Sequence, residues 1–320
     1  MIVLLLAAGL LAGCAHEEEL TLQNEIAVTT GVTGMLRRVA TIDDNTALRT
    51  KDIKIDAYYH GTNTKYLDGK KLHYTGTTPP WQFWGGEPAA QEHYYWPFDG
   101  AVYDPANLNI TDVSLDFVGY CPYEKPTYIG TPTYSHTTGV TFTCDMSGYM
   151  SLANQASMQE YVVAVLDSQT LAKQTAAGGA LPLQFKHPLA QIKFVITAAS
   201  GTHVQIDSIG ISGLYTGGTC SYDGTTLSWS DLSGSAGIAI EQTLKNGATT
   251  EGSPFFVIPA NYGSKYLTVK ATWDDWSDVT ITNYGTDVDF NWEPGHSYTY
   301  NLTLDKYGLK VDIKKFTEQW

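Results

Sequence analysis

Apolar and polar residues alternate in short segments along most of this chain. Examples are Ile53, Ile55 and Ala57, and later Leu267 and Val269, each separated from the next by one residue. A repeat of two places successive side chains on opposite faces of an extended strand, so each segment has one face for a core. Stretches rich in Gly, Pro, Asn and Asp separate the segments, as turns do. The pattern predicts an all-β protein.

Composition and length favour strands in two domains. Charged residues make up only 16% of the chain, which also contains 30 Gly, 21 Tyr and 8 Trp. Low charge with many Tyr, Thr and Gly residues favours strands and turns over helices. Short helices are expected only at 151–160 and 168–176. Because a chain of about 300 residues exceeds the usual size of one core, we expect β-sandwich domains at 14–183 and 184–320.

The N-terminus has the pattern of a lipoprotein signal peptide. Residues 1–13 form an uncharged apolar run that ends in small residues, and Cys14 follows at the lipobox position. The run is shorter than the roughly 20 residues that span a bilayer, so we interpret it as a processing segment. The Cys14 thiol is the predicted lipidation site. The alternative is an ordinary secretory peptide with an incidental cysteine.

The net charge and the remaining cysteines exclude two further classes of site. A formal net charge of −14 opposes binding to nucleic acid, whose phosphates require a basic surface. Cys121, Cys144 and Cys220 lack the spacing of a zinc site. Either Cys121 and Cys144 form a disulfide, or all three are small buried thiols. We expect the buried thiols, because a disulfide framework is usually denser.

No group of residues has the sequence pattern of an active site or a metal site. Asp274, Asp275 and Asp278 lie in an expected hairpin loop, where adjacent carboxylates do not have the fixed separation that a glycosidase needs. They also lack the ligand pattern of a calcium loop. His187 has no nucleophile motif near it, so we expect a structural, hydrogen-bonded histidine. Metal-binding spacing is likewise missing at four histidines: His60, His73, His93 and His296. We therefore predict no catalytic residue, no metal and no cofactor, and the protein is not expected to be an enzyme.

Six aromatic residues cluster between residues 81 and 96, namely Trp81, Phe83, Trp84, Tyr94, Tyr95 and Trp96. Most of them are expected to be buried in the N-terminal core, with hydrogen-bond partners for the tyrosines. Trp81 and Trp84 lie between Pro79-Pro80 and Gly85-Gly86, in what the sequence indicates is a loop. These two are the predicted exposed aromatic contacts, and exposed aromatic faces stack on sugar rings.

Four longer stretches of sequence stand out beyond the strand pattern. They are Tyr94-Tyr-Trp-Pro97 with Gly119-Tyr-Cys-Pro-Tyr123, then Leu181 to Ile192 with its Phe185-Lys-His187-Pro-Leu189-Ala190 core, then Phe255 to Pro259 with Tyr266 to Val269, and finally Trp292 to Leu302. In this order, and with Cys14 before them, they resemble the fimbrillin family, the type V pilins and fimbrillin-like lipoproteins of Bacteroidetes. The resemblance implies two tandem transthyretin-like β-sandwich domains after a lipoprotein signal peptide. It also implies an outer membrane lipoprotein at the cell surface, in or on a fimbrium.

The resemblance further implies assembly by donor-strand exchange. The C-terminal segment 308–320 is the candidate donor strand, because its apolar residues alternate with charged ones: Leu309, Val311 and Ile313, with Phe316 beyond. The first strand, Leu20 to Val28, would be removed by cleavage after an arginine in the following loop, and the candidate sites are Arg37, Arg38 and Arg49. The alternative is that both ends are ordinary edge strands of an anchored protein that does not polymerise.

Two functions therefore remain open at the level of sequence. The first is a pilus subunit or pilus-associated adhesin, whose partners are other pilus subunits, the outer membrane through the lipid on Cys14, and a receptor or glycan on a host or bacterial surface. The second is a surface-anchored lipoprotein that binds glycans through Trp81 and Trp84.

Overall fold

The structure is a computed structural model that describes residues 25–32, 45–85, 90–97, 113–198, 204–241, 249–252, 254–264, 267–273, 279–283, 289–305, 308–310 and 316–319. Strands joined by turns make up most of these residues. The prediction of an all-β protein is confirmed.

The first ten strands run up to the middle of the chain. They are β1 (Val28–Val32), β2 (Ile53–Tyr59), β3 (Lys65–Tyr74), β4 (Trp81–Gly85), β5 (Ala90–Gln91), β6 (Leu115–Cys121), β7 (Thr133–Ser135), β8 (Gly139–Asp145), β9 (Val162–Gln169) and β10 (Leu181–Phe185). Three short helices lie among them, which are α1 (Asn45–Leu48), α2 (Leu152–Gln155) and α3 (Leu171–Ala176). Thr170 caps α3, because its side chain accepts a hydrogen bond from the Lys173 backbone N–H. Both predicted helices are present, shorter than expected.

The N-terminal half is built in three layers around a six-stranded sheet with the strand order β5-β4-β3-β2-β6-β9. The parallel pair β1-β10 covers one face, and a four-stranded sheet covers the other. All seven residues of β6 are buried, as expected for a strand with both faces covered. On β6, Phe117 packs in the core on the β1 side, whereas Tyr120 packs in the core on the opposite side.

The later strands are β11 (Ala190–Ala198), β12 (Val204–Leu214), β13 (Gly217–Tyr222), β14 (Leu227–Ser233), β15 (Ala236–Glu241), β16 (Thr249–Glu251), β17 (Phe255–Val257), β18 (Asn261–Ser264), β19 (Leu267–Trp273), β20 (Val279–Asn283), β21 (Asp289–Asn291), β22 (His296–Asp305), β23 (Gly308–Lys310) and β24 (Phe316–Gln319). Most of them form a sandwich. One sheet centres on the parallel pair β11-β22, and the other has the order β15-β12-β19-β20.

Aromatic side chains fill much of the C-terminal sandwich core. The ring of Tyr300 lies 5.7 Å from that of Phe194 and 5.3 Å from that of Phe290. The indole N–H of Trp292 donates to the Tyr300 hydroxyl at 2.7 Å, so both polar groups are satisfied in the core. Ile209 of the facing sheet belongs to the same buried cluster.

The four-stranded outer sheet takes strands from both halves of the chain. Its order is β14-β13-β8-β7, and β13 pairs with β8 through the registers Gly218 with Cys144 and Cys220 with Phe142. The predicted domain boundary near Leu183 falls within β10, between these two pairs of strands. The hairpin β13-β14 therefore completes a layer of the N-terminal half.

The structure also resolves the alternatives for the cysteines. Cys121, Cys144 and Cys220 are all buried free thiols, so the predicted small buried residues are confirmed and the alternative disulfide does not form. Burial raises the pKa of each thiol, for Cys144 to about 12. They therefore act as packing residues.

Candidate functional site

Within the described residues, the first strand, β1, pairs with one other strand, and the Val32 N–H donates to the Asn45 side chain at 3.0 Å. It runs parallel to β10, with Val28 opposite Leu181 and Val32 opposite Phe185. Ile26 and Val28 insert their side chains into the core, each with 2% exposure. The expected first strand was Leu20 to Val28; its residues 20–24 lie outside the described part, and the observed strand begins at Val28.

One buried glutamine ties this segment to the rest of the fold. Gln174 of α3 donates from Nε2 to the Glu25 carbonyl at 2.7 Å, and its Oε1 accepts the Ala27 N–H at 3.2 Å. The same Oε1 accepts the Trp96 indole N–H, also at 3.2 Å. Gln174 is 4% exposed; its bond with Trp96 is buried and its two bonds to the backbone are partly buried, so losing them is costly.

A groove of about 370 Å³ opens beside β1. Its walls are the β1 segment, from Glu25 to Thr29, and the β4 segment, from Pro80 to Phe83, with Gly178 and Gly179 at one end. The edge of β1 that faces away from β10 has no strand partner among the described residues. The segment therefore lies in a groove, paired with β10 along one edge and bridged to Tyr94 and Tyr95 at its start.

The C-terminal segment folds back on the sandwich as edge strands. β23 pairs antiparallel with the end of β22, with Leu309 opposite Leu304. β24 pairs with the start of β22, with Phe316 opposite Thr299. Two of the predicted donor residues, Val311 and Ile313, lie outside the described residues. The segment thus occupies one margin of its own sheet.

Of the predicted processing and lipidation sites, the structure describes Arg49 alone. Arg49 is exposed in the turn after α1, and its guanidinium carbon lies 5.0 Å from the centre of the Tyr74 ring. Arg37, Arg38 and Cys14 lie outside the described residues.

The prediction that Trp81 is exposed is wrong, whereas Trp84 does present part of its surface. Trp81 lies in β4 with 4% exposure and packs edge-on against Tyr74, with ring centres 5.2 Å apart. Residues 81–85 form a strand rather than a loop, because β4 pairs with β3. Trp84, three residues along and so on the opposite face of β4, is half-buried beside His73. Phe83 and Trp96 are also buried, whereas Tyr94 is half-buried and Tyr95 is 37% exposed, so three of the six aromatic residues are buried rather than most of them.

Two histidines and two aspartates meet at the margin between the six-stranded sheet and the outer sheet. His60 follows β2, Asp116 lies in β6, His136 lies in the β7-β8 turn and Asp167 lies in β9. The Nδ1 atom of His60 is 2.7 Å from Asp116 and 3.1 Å from Asp167, and that of His136 is 3.3 Å from Asp116. One ligand atom from each of the four residues lies within 4.8 Å of the others.

Hydrogen bonds determine the charges in this His/Asp cluster. Burial by itself would raise the pKa of Asp116, but bonds from Asp167, the Ser168 N–H, His60 and Tyr134 outweigh it and hold the pKa well below its usual range. The hydrogen bond with Asp116 raises the pKa of Asp167, and burial adds to the effect. The hydrogen bond to Asp116 also raises the pKa of His60. Asp116 is therefore the charged centre of the cluster.

Sequence analysis missed this cluster and assigned His60 no metal-binding role. The four residues come from four separate segments, and no two of them have the short spacing of a metal motif. The one signal in the sequence was an aspartate within each of two apolar strands, Asp116 and Asp167, since charged residues seldom lie in buried strands without a partner.

The predicted structural role of His187 is confirmed. Its Nδ1 forms a short hydrogen bond with the Glu160 carboxylate, and both side chains are buried. The pair lies where β9 approaches the end of β10, since Val163 bridges to Lys186. His187 therefore stabilises the junction between the halves of the chain.

Comparison with known proteins gives a consistent result. Among curated proteins no sequence matches significantly. The structure is similar to that of a fimbrial protein from Bacteroides vulgatus, with a TM-score of 0.59 and 16% identity, over 93% of this chain and 99% of that one. It is also similar to a candidate cell adhesion protein from Bacteroides uniformis, with a TM-score of 0.54 and 18% identity, over 92% and 99% of the two chains. At such identities the similarity establishes a shared fold.

Within the described residues, no helix has the length and apolar character needed to cross a membrane. The sequence model of one family, described as fimbrillin-like, matches residues 38–320, which is most of the sequence. This chain therefore belongs to the fimbrillin-like family.

Proposed function

We propose that this protein is a fimbrial subunit or a fimbria-associated adhesin at the cell surface, and that it assembles by donor-strand exchange. Family membership supports a structural or adhesive role rather than catalysis. The observation that carries the mechanism is the attachment of the β1 segment, which pairs with one parallel strand and inserts alternate side chains into the core.

Removal of β1 would leave a groove suited to another strand. The backbone groups of β10 that now pair with β1 would lose their partners, and an unpaired strand edge readily accepts a new strand. The sites now filled by Ile26 and Val28 would be open to water, which favours an incoming strand with apolar side chains at the same spacing.

The C-terminal segment has the properties of such a donor. Its apolar residues at 309, 311 and 313 recur at the period of Ile26 and Val28. In the described residues β23 and β24 pair with β22 alone, so the segment is joined to its sheet along one edge. Release of an edge strand breaks fewer hydrogen bonds than release of a central one.

Cleavage in the segment between β1 and β2 would separate the first strand from the body of the fold. Arg49 is accessible there, and Arg37 and Arg38 belong to the same segment. Because Cys14 precedes β1, one cut would remove both the proposed lipid anchor and the strand. An uncut chain would stay anchored in the outer membrane as an adhesin.

Deletion of residues 308–320 tests the exchange directly. We expect subunits that fold, by circular dichroism, but no longer form detergent-resistant polymer on cells. A matched pair of single variants sharpens the test: Leu309→Asp should block polymer, whereas Lys310→Asp, at the neighbouring position, should not. Polymer that survives both the deletion and Leu309→Asp would contradict the proposal.

N-terminal sequencing of the surface protein tests the cleavage. A start at Val39 or Thr50 would support removal of the first strand, because these residues follow Arg38 and Arg49. A chain that always begins at lipidated Cys14 would contradict processing and leave the anchored adhesin.

Glycan binding is a second candidate function, and the exposure of Trp84 is the observation in its favour. The half-buried indole lies beside His73 at the surface of the six-stranded sheet. A glycan array with the intact protein and with Trp84→Ala tests it. Binding that depends on Trp84 and survives deletion of residues 308–320 would support this function.

A further inference from the structure

We propose that His60, Asp116, His136 and Asp167 form a binding site for one divalent transition-metal ion, with zinc as the best match. The inference is independent of strand exchange, because none of the four residues belongs to β1 or to the C-terminal segment.

The four ligand atoms lie within 4.8 Å of one another. In a tetrahedral zinc site with bonds of about 2.0–2.1 Å, neighbouring ligand atoms are roughly 3.3 Å apart. The His60 contacts with Asp116 and Asp167, at 2.7 and 3.1 Å, and the His136 contact with Asp116, at 3.3 Å, already approach that separation. Side-chain rotation alone therefore suffices to surround an ion.

Hydrogen bonds from residues outside the cluster already hold Asp116 in position. Its side chain is fully buried, and it accepts hydrogen bonds from the Tyr134 hydroxyl at 2.8 Å and the Ser168 N–H at 2.7 Å. A carboxylate has about four lone-pair directions, so it can keep both bonds while it binds a metal. Such supporting hydrogen bonds orient the ligands of metal sites.

The cluster is accessible to solvent, and its ligand atoms are of the types that zinc prefers. The side chains of His60 and His136 are each 33% exposed and that of Asp167 is 56% exposed, so an ion can enter from solvent. Two imidazole nitrogens and two carboxylate oxygens suit zinc and neighbouring transition metals. Calcium prefers six to eight oxygen ligands, and this set offers too few.

Such an ion would join two layers of the fold. His60, Asp116 and Asp167 belong to the six-stranded sheet and the turn after β2, whereas His136 lies in the β7-β8 turn of the outer sheet. Tyr134 already stacks on Tyr58 across the same boundary, with ring centres 4.4 Å apart. Because the ligands are assembled only in the folded chain, bound metal would stabilise the native state.

Zinc binding to the untagged full-length chain tests the proposal. After treatment with a chelator, the protein is titrated with zinc chloride by calorimetry, and bound metal is counted by mass spectrometry. We expect one zinc per chain, a higher melting temperature with zinc, and the visible absorption of a tetrahedral site when cobalt replaces it. His136→Ala and Asp167→Asn should each weaken zinc affinity at least about tenfold.

A matched control separates this cluster from an ordinary surface histidine. His73→Ala removes another histidine–aspartate pair, in which His73 Nδ1 lies 2.6 Å from Asp52, and it should leave zinc affinity unchanged. Asp167→Asn keeps the shape of an exposed side chain, so loss of binding there does not depend on misfolding. Absence of bound zinc, or equal affinity in the two cluster variants and the intact chain, would overturn the proposal and leave a hydrogen-bonded cluster.

Discussion

Gly119 of β6 lies so close to Leu183 of β10 that a Cβ atom at Gly119 would be 2.6 Å from Leu183 Cδ2. The same Cβ would lie 2.9 Å from Phe185 Cζ, and both side chains are buried. This contact brings β10 directly onto the six-stranded sheet. The contact therefore holds β10, the strand that pairs with β1, in place.

Gly119→Ala is expected to destabilise the protein by about 2 kcal/mol, because the added methyl group overpacks a filled core. Chemical denaturation measures the change in the free energy of unfolding. Gly148→Ala is the control, since a Cβ there meets nothing within 4 Å. Equal stabilities of the two variants would show that β10 can move away from β6.

Gln174→Ala should loosen β1 without unfolding the protein. The variant loses the bonds to Glu25 and Ala27 and leaves their partly buried backbone groups without these partners, at a cost of about 1–3 kcal/mol. We expect faster hydrogen exchange at residues 26–32. Thr175→Ala, on the same helix but exposed, should leave that exchange unchanged. Unaltered exchange in Gln174→Ala would mean that β10 and the bonds to Tyr94 and Asn45 hold the strand without Gln174.

The three buried thiols should resist modification in the native protein. Burial raises the pKa of Cys144 to about 12 and those of Cys121 and Cys220 further, so almost no reactive thiolate exists at neutral pH. A thiol reagent should label none of the three in buffer and all three in denaturant. Rapid labelling in buffer would contradict the packing of the outer sheet, where Cys144 and Cys220 lie.

His187→Ala should be among the most destabilising single changes, at about 3 kcal/mol or more. It leaves the Glu160 carboxylate buried without its histidine. His93→Ala, which breaks a partly exposed pair with Glu25, should cost less than about 1 kcal/mol. Thermal melting of both variants measures the two losses of stability. Similar costs would indicate that Glu160 finds other partners readily.

Trp81→Ala and Trp84→Ala should differ because one ring is buried and the other is half-exposed. Loss of the Trp81 ring creates a cavity beside Tyr74, at a cost of about 3–5 kcal/mol, whereas Trp84→Ala should cost distinctly less. Denaturation curves of the two variants measure the difference. Equal costs would place Trp84 in the core as well.

The alternation of apolar residues was enough to predict several of the strands. Ile53 to Tyr59 became β2, and the apolar run from Tyr161 to Leu166 became most of β9, buried on both faces as expected. Local pattern also predicted the short helix α3 and the buried role of the three cysteines. These features depend on neighbours in the sequence.

What the sequence did not reveal depends on distant pairing. Nothing near Trp81 indicated that residues 81–85 pair with β3, so Pro and Gly were interpreted as a loop. The cluster of His60, Asp116 and His136 likewise exists only because β6 and the β7-β8 turn meet in space. The pairing of β8 with β13 joins segments too far apart for any local rule.

The pairing of β8 with β13 constrains the order in which the protein can fold during its synthesis. The N-terminal core on the β8 side stays only partly covered until residues 217–233 have been synthesised, because they supply half of its outer layer. A chain that crosses a membrane from its N-terminus must therefore carry Val140 and Phe142 on an unfinished sheet while the rest follows. Folding of the N-terminal half is therefore coupled to the synthesis of one hairpin, and a chain that stops before it would keep an unpaired edge on β8.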